Sequence, residues 1–89
     1  MRSNRPPLRS GVGPRQANSN QDVELIQTAF IFVKNRISRP YYNGRIDGRF
    51  GDKTLAAVLA FQSDNRLKCD GLVTNSSNCL RLIAQQIDR

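Results

Sequence analysis

Histidine and tryptophan are missing from this 89-residue chain, methionine occurs once and cysteine twice. Without histidine the chain lacks the commonest general base at neutral pH and the commonest zinc ligand. The two cysteines, Cys69 and Cys79, are too few on their own to complete a metal site, and neither has a histidine to activate it as a nucleophile. Glutamate occurs only at Glu24, so paired carboxylates leave Asp47 with Asp52, or Asp64 with Asp70, as the only acid–base option. Asp47 and Asp70 each precede a glycine in a turn, where backbone N–H donors lower a carboxyl pKa instead of raising it as a general acid requires. No catalytic residue, metal or cofactor is therefore expected. Long apolar runs are also missing: nothing approaches the roughly 20 residues that span a bilayer. The first ten residues have arginines but no apolar stretch of the kind a secretory signal carries.

Acid is scarce at one end. Residues 1–20 hold Arg2, Arg5, Arg9 and Arg15 and no Asp or Glu, so +4 of the net +7 charge falls on the first fifth of the chain. The same stretch has three prolines, two glycines and no apolar periodicity. Its composition predicts an extended or disordered arm, residues 1–20, that orders on a protein partner. Four arginines without interleaved aromatics and without a base-reading motif argue against nucleic acid as that partner.

Beyond residue 20 the pattern becomes helical. Val23, Ile26, Phe30 and Val33 line one face of a helix predicted over 21–35 and capped by Asn20; Pro40 prevents its continuation. Leu55, Val58, Leu59 and Phe61 give a second helix from Asp52 to Asn65, the latter in a left-handed C-terminal position. Leu80, Ile83, Ala84 and Ile87 form the expected buried face of a third, capped by Thr74 or Ser76. Strand-like alternation is absent. The fold class expected is all-α, a small three-helix orthogonal bundle with two structured loops, spanning residues 21–89. Cys69 and Cys79 could be joined by a disulfide or remain free thiols.

Those two loops share a short repeat. Asp47-Gly48 and Asp70-Gly71 lie 23 residues apart; each is followed after one residue by an apolar anchor, Phe50 or Val73, and then by a hydroxyl residue, Thr54 or Ser77, ahead of a helix. Asp accepts backbone N–H bonds in a tight turn, Gly takes up a conformation closed to other residues, and the anchor plugs the core. Asp47, Gly48, Phe50, Gly51, Thr54, Asp70, Gly71 and Val73 are read as fold determinants, with Thr54 and Ser77 at the third helical position.

The run Tyr41-Tyr42-Asn43-Gly44-Arg45-Ile46-Asp47-Gly48-Arg49-Phe50-Gly51, with Thr54, Ala57, Val58, Phe61 and Gln62, then Leu67, Asp70-Gly71 and Val73, resembles the peptidoglycan-binding domain family. These are three-helix modules with a doubled Asp-Gly motif, carried beside cell-wall hydrolases and phage endolysins. Ile26-Gln27 is similar to the Leu-Gln pair of the family's first helix. Arg66 departs from the family's usual Gly, and Thr74-Asn75 from a common Gly-Pro. The resemblance implies murein binding without catalysis. A binder of that polymer needs flat apolar faces and hydrogen-bonding groups, which Tyr41, Tyr42, Asn43, Arg45, Arg49 and Gln62 offer as candidate ligand contacts. Against this, the tyrosines could be packed, Gln62 could brace a loop, and the arginines could be solvated surface. The expected role is a wall-binding component of a larger assembly such as a phage virion or tail, placed at the virion or cell envelope and tethered by its N-terminal arm. The alternative is a structural adaptor of the same fold that binds no murein.

Overall fold

The computed structural model describes residues 8–87. Five elements follow in order: β1 (Gly11–Val12), α1 (Asn20–Phe32), α2 (Asp52–Asp64), β2 (Val73–Thr74) and α3 (Asn78–Ile87). The protein is thus mostly helical, with three helices as expected and a two-stranded ribbon that was not. In the ribbon β1 runs antiparallel to β2, with Gly11 opposite Thr74 and Val12 opposite Val73.

The apolar stripes of α1 and α2 make the centre of the core. Val23, Ile26, Phe30 and Val33 from the first helix meet Ala57, Val58 and Phe61 from the second, all buried. The Phe30 and Phe61 rings lie 5.3 Å apart, and Val12, Val73, Cys79 and Ile83 close the cluster. Helix α3 contributes less than its spacing predicts: Ile83 and Cys79 are buried and Leu80 partly so, but Ala84 and Ile87 stay exposed on an apolar groove they share with Leu25, Ile26 and Ala29 of α1.

Helix ends differ from expectation by a residue or more, each for a local reason. Ser19, not Asn20, caps α1, its hydroxyl accepting from Asp22 N–H at 3.3 Å. The helix stops at Phe32 because the returning chain takes its free carbonyls: Tyr42 N–H donates to Phe30 O and Tyr41 N–H to Val33 O. At the end of α2, Asn65 has φ −103° and it is Arg66, at φ 59°, that turns left-handed. Arg66 therefore holds a left-handed conformation with a side chain in place, at a cost of about 1–2 kcal/mol. Ser77 caps α3, its Oγ accepting from Leu80 N–H at 3.2 Å; Thr74 and Ser76 lie upstream of the cap.

The largest departure concerns residues 8–19, expected to be part of a free arm. They pack on the helical body instead. Leu8 and Val12 are buried, and the Asn75 side chain brackets the Leu8 backbone, accepting from its N–H at 2.9 Å and donating to its carbonyl at 2.8 Å. Asn18 closes the following turn through Gly13 and Gln16. Gly13 passes so close to the second loop that a Cβ there would lie 2.5 Å from the Gly71 carbonyl oxygen. Composition misleads because this segment is held by backbone bonds to side chains of the body, and such bonds leave no apolar periodicity. The folded unit therefore begins before residue 20. Residues 1–7, the rest of the expected arm, lie outside the described residues.

Asp22 anchors this strap. Its carboxylate, buried near the start of α1, accepts from Arg9 N–H at 2.8 Å and Ser10 N–H at 2.9 Å. Burial pushes its pKa up, but the bonds from Arg9, Ser10 and Ser19 outweigh burial and hold it below the usual value. A carboxyl depressed by folding adds stability above its unfolded pKa and loses it as pH falls through the folded one. Asp22→Asn should accordingly cost about 1–2 kcal/mol at neutral pH and flatten the loss of stability below about pH 4. Urea melts of both proteins at neutral and acid pH check this; parallel pH profiles would remove Asp22 from the clamp.

Candidate functional site

The two Asp-Gly loops are built on one plan, and the plan centres on two buried glutamines. Gln27 on α1 reaches the first loop. Its Oε1 accepts from the N–H groups of Asp47 and Gly48, both at 3.1 Å, while its Nε2 lies 3.0 Å from Asp47 Oδ1, 3.0 Å from Thr54 Oγ1 and 3.2 Å from Arg49 O. Gln62 on α2 repeats this at the second loop: Oε1 accepts from Gly71 N–H at 2.9 Å, and Nε2 donates to Asp70 Oδ1 at 3.0 Å and Leu72 O at 3.2 Å. In both loops the Asp carboxylate accepts from the N–H two residues on, Arg49 or Leu72, at 2.9 Å. Gly48 and Gly71 adopt φ 71° and 72°, a left-handed turn that only glycine enters without strain.

Asp47 and Asp70 both have lowered pKa values, chiefly through the backbone N–H of Arg49 and of Leu72 respectively. These carboxylates are fixed anions of the turn, as their place before glycine predicted, and neither is tuned to release or take a proton near neutrality. The hydroxyl of the first loop sits as predicted: Thr54 is the third residue of α2 and buried against Gln27. Its counterpart Ser77 caps α3 instead. Phe50 is only partly buried, whereas Val73 is fully so.

The six candidate ligand residues are not brought together. Tyr42, Arg45 and Arg49 line a groove of about 470 Å³ with Asp47, Gly51, Asp52, Lys53 and Thr54. Gln62 lines a separate depression of about 230 Å³ between the second loop and the start of α3, with Lys68, Asp70 and Cys79. Tyr41 borders a third, also about 230 Å³, with Lys34, Arg36 and Asp64. Asn43 is exposed and lines none of the three.

The tyrosines are packed. Tyr42 is buried, and its hydroxyl donates to the Arg45 carbonyl and accepts from Gln27 Nε2, so it forms floor and not platform. Tyr41 is half-buried edge-on against Phe30 and Phe61, at 5.8 and 5.3 Å. Its hydroxyl donates to Asp64 Oδ2 at 2.7 Å; burial first, then Asp64, pushes its pKa up to about 12. Gln62 is a loop brace. Arg45 and Arg49 alone among the six are exposed in a groove, where Lys53 adds a third cation that sequence reasoning overlooked.

Gln27, the hub, was noticed in the sequence only as half of an apolar-Gln pair. The signal was there: Ile26-Gln27 ahead of Asp47-Gly48 is echoed by Phe61-Gln62 ahead of Asp70-Gly71. The cysteines are both free, Cys69 exposed and Cys79 buried. Burial first, then Asp70, raises the Cys79 thiol to about 12, which keeps it protonated and unreactive. Among the described residues no cluster of His, Cys, Asp or Glu could hold a metal ion.

The site so assembled is a glutamine-braced loop surface with a groove that carries three cations, Arg45, Arg49 and Lys53, and two carboxylates, Asp47 and Asp52. No curated protein and no solved structure matches the chain. A family model described as "Putative peptidoglycan binding domain" matches residues 19–76, which takes in α1, α2 and both glutamine-braced Asp-Gly loops. The chain belongs to this peptidoglycan-binding domain family.

Proposed function

We propose that the protein is a non-catalytic wall-binding module and that the groove beside the first Asp-Gly loop is where it meets murein. The observation that supports this is the placing of Arg45, Arg49 and Lys53 around one groove whose floor, Tyr42 and Thr54, is locked to Gln27. Stem peptides of murein carry carboxylates, and guanidinium groups on a preorganised rim bind them by charge-assisted hydrogen bonds. The loop needs no rearrangement on binding, so little of the interaction is lost to ordering.

Arg45 and Arg49 are exposed, so replacing both by Gln leaves the core untouched. Sedimentation with purified sacculi should fall about tenfold for each arginine lost. The double variant binding as the parent does would remove the groove from the reading; retention only at low salt would reduce the interaction to general basic attraction.

The module is further proposed to serve a larger assembly, such as a virion or tail, through its N-terminus. The support is the excess of arginine in residues 1–20, of which Arg2 and Arg5 lie ahead of the packed strap. Since residues 8–19 belong to the folded body, the discriminating deletion is residues 1–7 alone. It should abolish incorporation into such a particle and leave sacculus binding intact. A second reading, a structural adaptor without murein affinity, draws support from the burial of Tyr42, which removes one aromatic platform. Failure of the full chain to sediment with sacculi would favour it.

A further inference from the structure

The most exposed large apolar side chains among the described residues are Phe32, 71 % exposed, and Ile37, 69 % exposed. They lie five residues apart, at the end of α1 and in the hairpin that follows it. Soluble surfaces commonly carry single apolar residues; two of this size and exposure within one short stretch of chain are less easily dismissed.

The hairpin is not slack. Lys34 pairs with Pro40, Asn35 N–H donates to Arg39 O at 2.8 Å, and Ser38 N–H to Asn35 O at 3.0 Å. The Asn35 carboxamide oxygen accepts from both Ile37 and Arg39 N–H groups, each at 3.0 Å. Ser38 completes the turn at φ 62°. These bonds hold Ile37 out in water when an unbraced loop could fold it back onto the body.

Along the chain its charged neighbours are of one sign. From residue 25 to residue 46 there is no Asp or Glu, and Lys34, Arg36 and Arg39 flank the two apolar side chains. The nearby acid is Asp64, which shares a depression with Lys34 and Arg36 and accepts from the Tyr41 hydroxyl.

We propose that this tip docks on an anionic lipid surface, with Phe32 and Ile37 entering the interface and Lys34, Arg36 and Arg39 lying at the headgroups. Charge complementarity and the two exposed apolar side chains both point that way. A soluble polyanion satisfies the cations but leaves both apolar groups in water. A bilayer interface takes both, since long basic side chains lie along it with their charges among the phosphates. The proposal goes beyond murein binding and does not depend on it, for it uses other residues.

The test uses the full chain with vesicles of phosphatidylcholine alone, or of equal parts phosphatidylcholine and phosphatidylglycerol, in a flotation assay. Binding to the mixed vesicles only is expected. Phe32→Ser with Ile37→Ser, which keeps every charge, should lower the partition about tenfold or more. Arg36→Gln with Arg39→Gln should lower it about tenfold at low salt. Because the chain has no tryptophan, Ile37→Trp supplies a single tryptophan at the tip, excited selectively over the two tyrosines. Its emission should move to the blue with the mixed vesicles and stay unchanged with soluble polyglutamate. Flotation undiminished in the Phe32→Ser, Ile37→Ser variant would show that charge alone carries the binding and overturn the proposal. So would the absence of binding to mixed vesicles, or a blue shift with polyglutamate but not with vesicles, which would assign the tip to an acidic protein partner.

Discussion

Gln27→Leu should lower the unfolding free energy by about 3–5 kcal/mol, more than any other polar replacement in the domain. Leucine fills much of the same volume, so the loss isolates the polar bracket. Without the carboxamide, the N–H groups of Asp47 and Gly48 have no acceptor, and Gly48 N is buried. Each such orphan costs about 1–3 kcal/mol. Thr54 Oγ1 and the Tyr42 hydroxyl lose their shared donor in the same stroke. The twin replacement Gln62→Leu gives an internal control. Gln62 accepts from one backbone N–H, that of Gly71, where Gln27 accepts from two, so its loss should be smaller, about 2 kcal/mol. Urea unfolding followed by far-UV circular dichroism measures both. Equal losses, or a Gln27 effect below about 1 kcal/mol, would mean that water replaces the carboxamide and that the loops are not braced from the helices.

Phe61→Ala is expected to cost about 3–5 kcal/mol and to leave the domain barely folded. The ring is fully buried, 5.3 Å from both Phe30 and Tyr41. Removing it opens a cavity where α2 meets α1 and takes away the edge against which Tyr41 rests. A domain of this size has little stability to lose. Phe61→Leu, which keeps more of the volume, should cost only about 1–1.5 kcal/mol and remain folded; it keeps the test informative if the alanine variant does not fold. Thermal melts of the pair give the difference. A small loss for both would show that the neighbouring side chains collapse into the gap and that the aromatic cluster is not the centre of stability.

Gln27 and Gln62 hold two loops to the helices. The loops themselves were legible. Asp47-Gly48 and Asp70-Gly71 are local devices: glycine's freedom and an Asp acceptor two residues ahead of a donor act within a handful of bonds, so the sequence alone implies them. The lowered carboxyl pKa values follow from the same local geometry. The helices were legible too, because apolar residues at intervals of three and four mark a face whatever it packs against. Sequence was weaker on what that face meets. Ala84 and Ile87 keep helical spacing yet stay exposed, since α3 leaves an open groove between them and Leu25 and Ala29 of α1.

What the amino-acid sequence by itself determined is the set of local preferences: three helices, two turns, and the motifs that place the chain among peptidoglycan-binding domains. Tertiary structure alone decided the pairings across distance. It drew residues 8–19 onto β2 through Asp22 and Asn75, put Gln27 within reach of a loop twenty residues away, turned Tyr41 and Tyr42 inward, and gathered Arg45, Arg49 and Lys53 around one groove. The reason is physical. A turn or a helix is favoured by energies between neighbours in the chain, whereas a hydrogen bond from a distant side chain or a shared cavity exists only after the chain has closed on itself, and no periodicity records it beforehand.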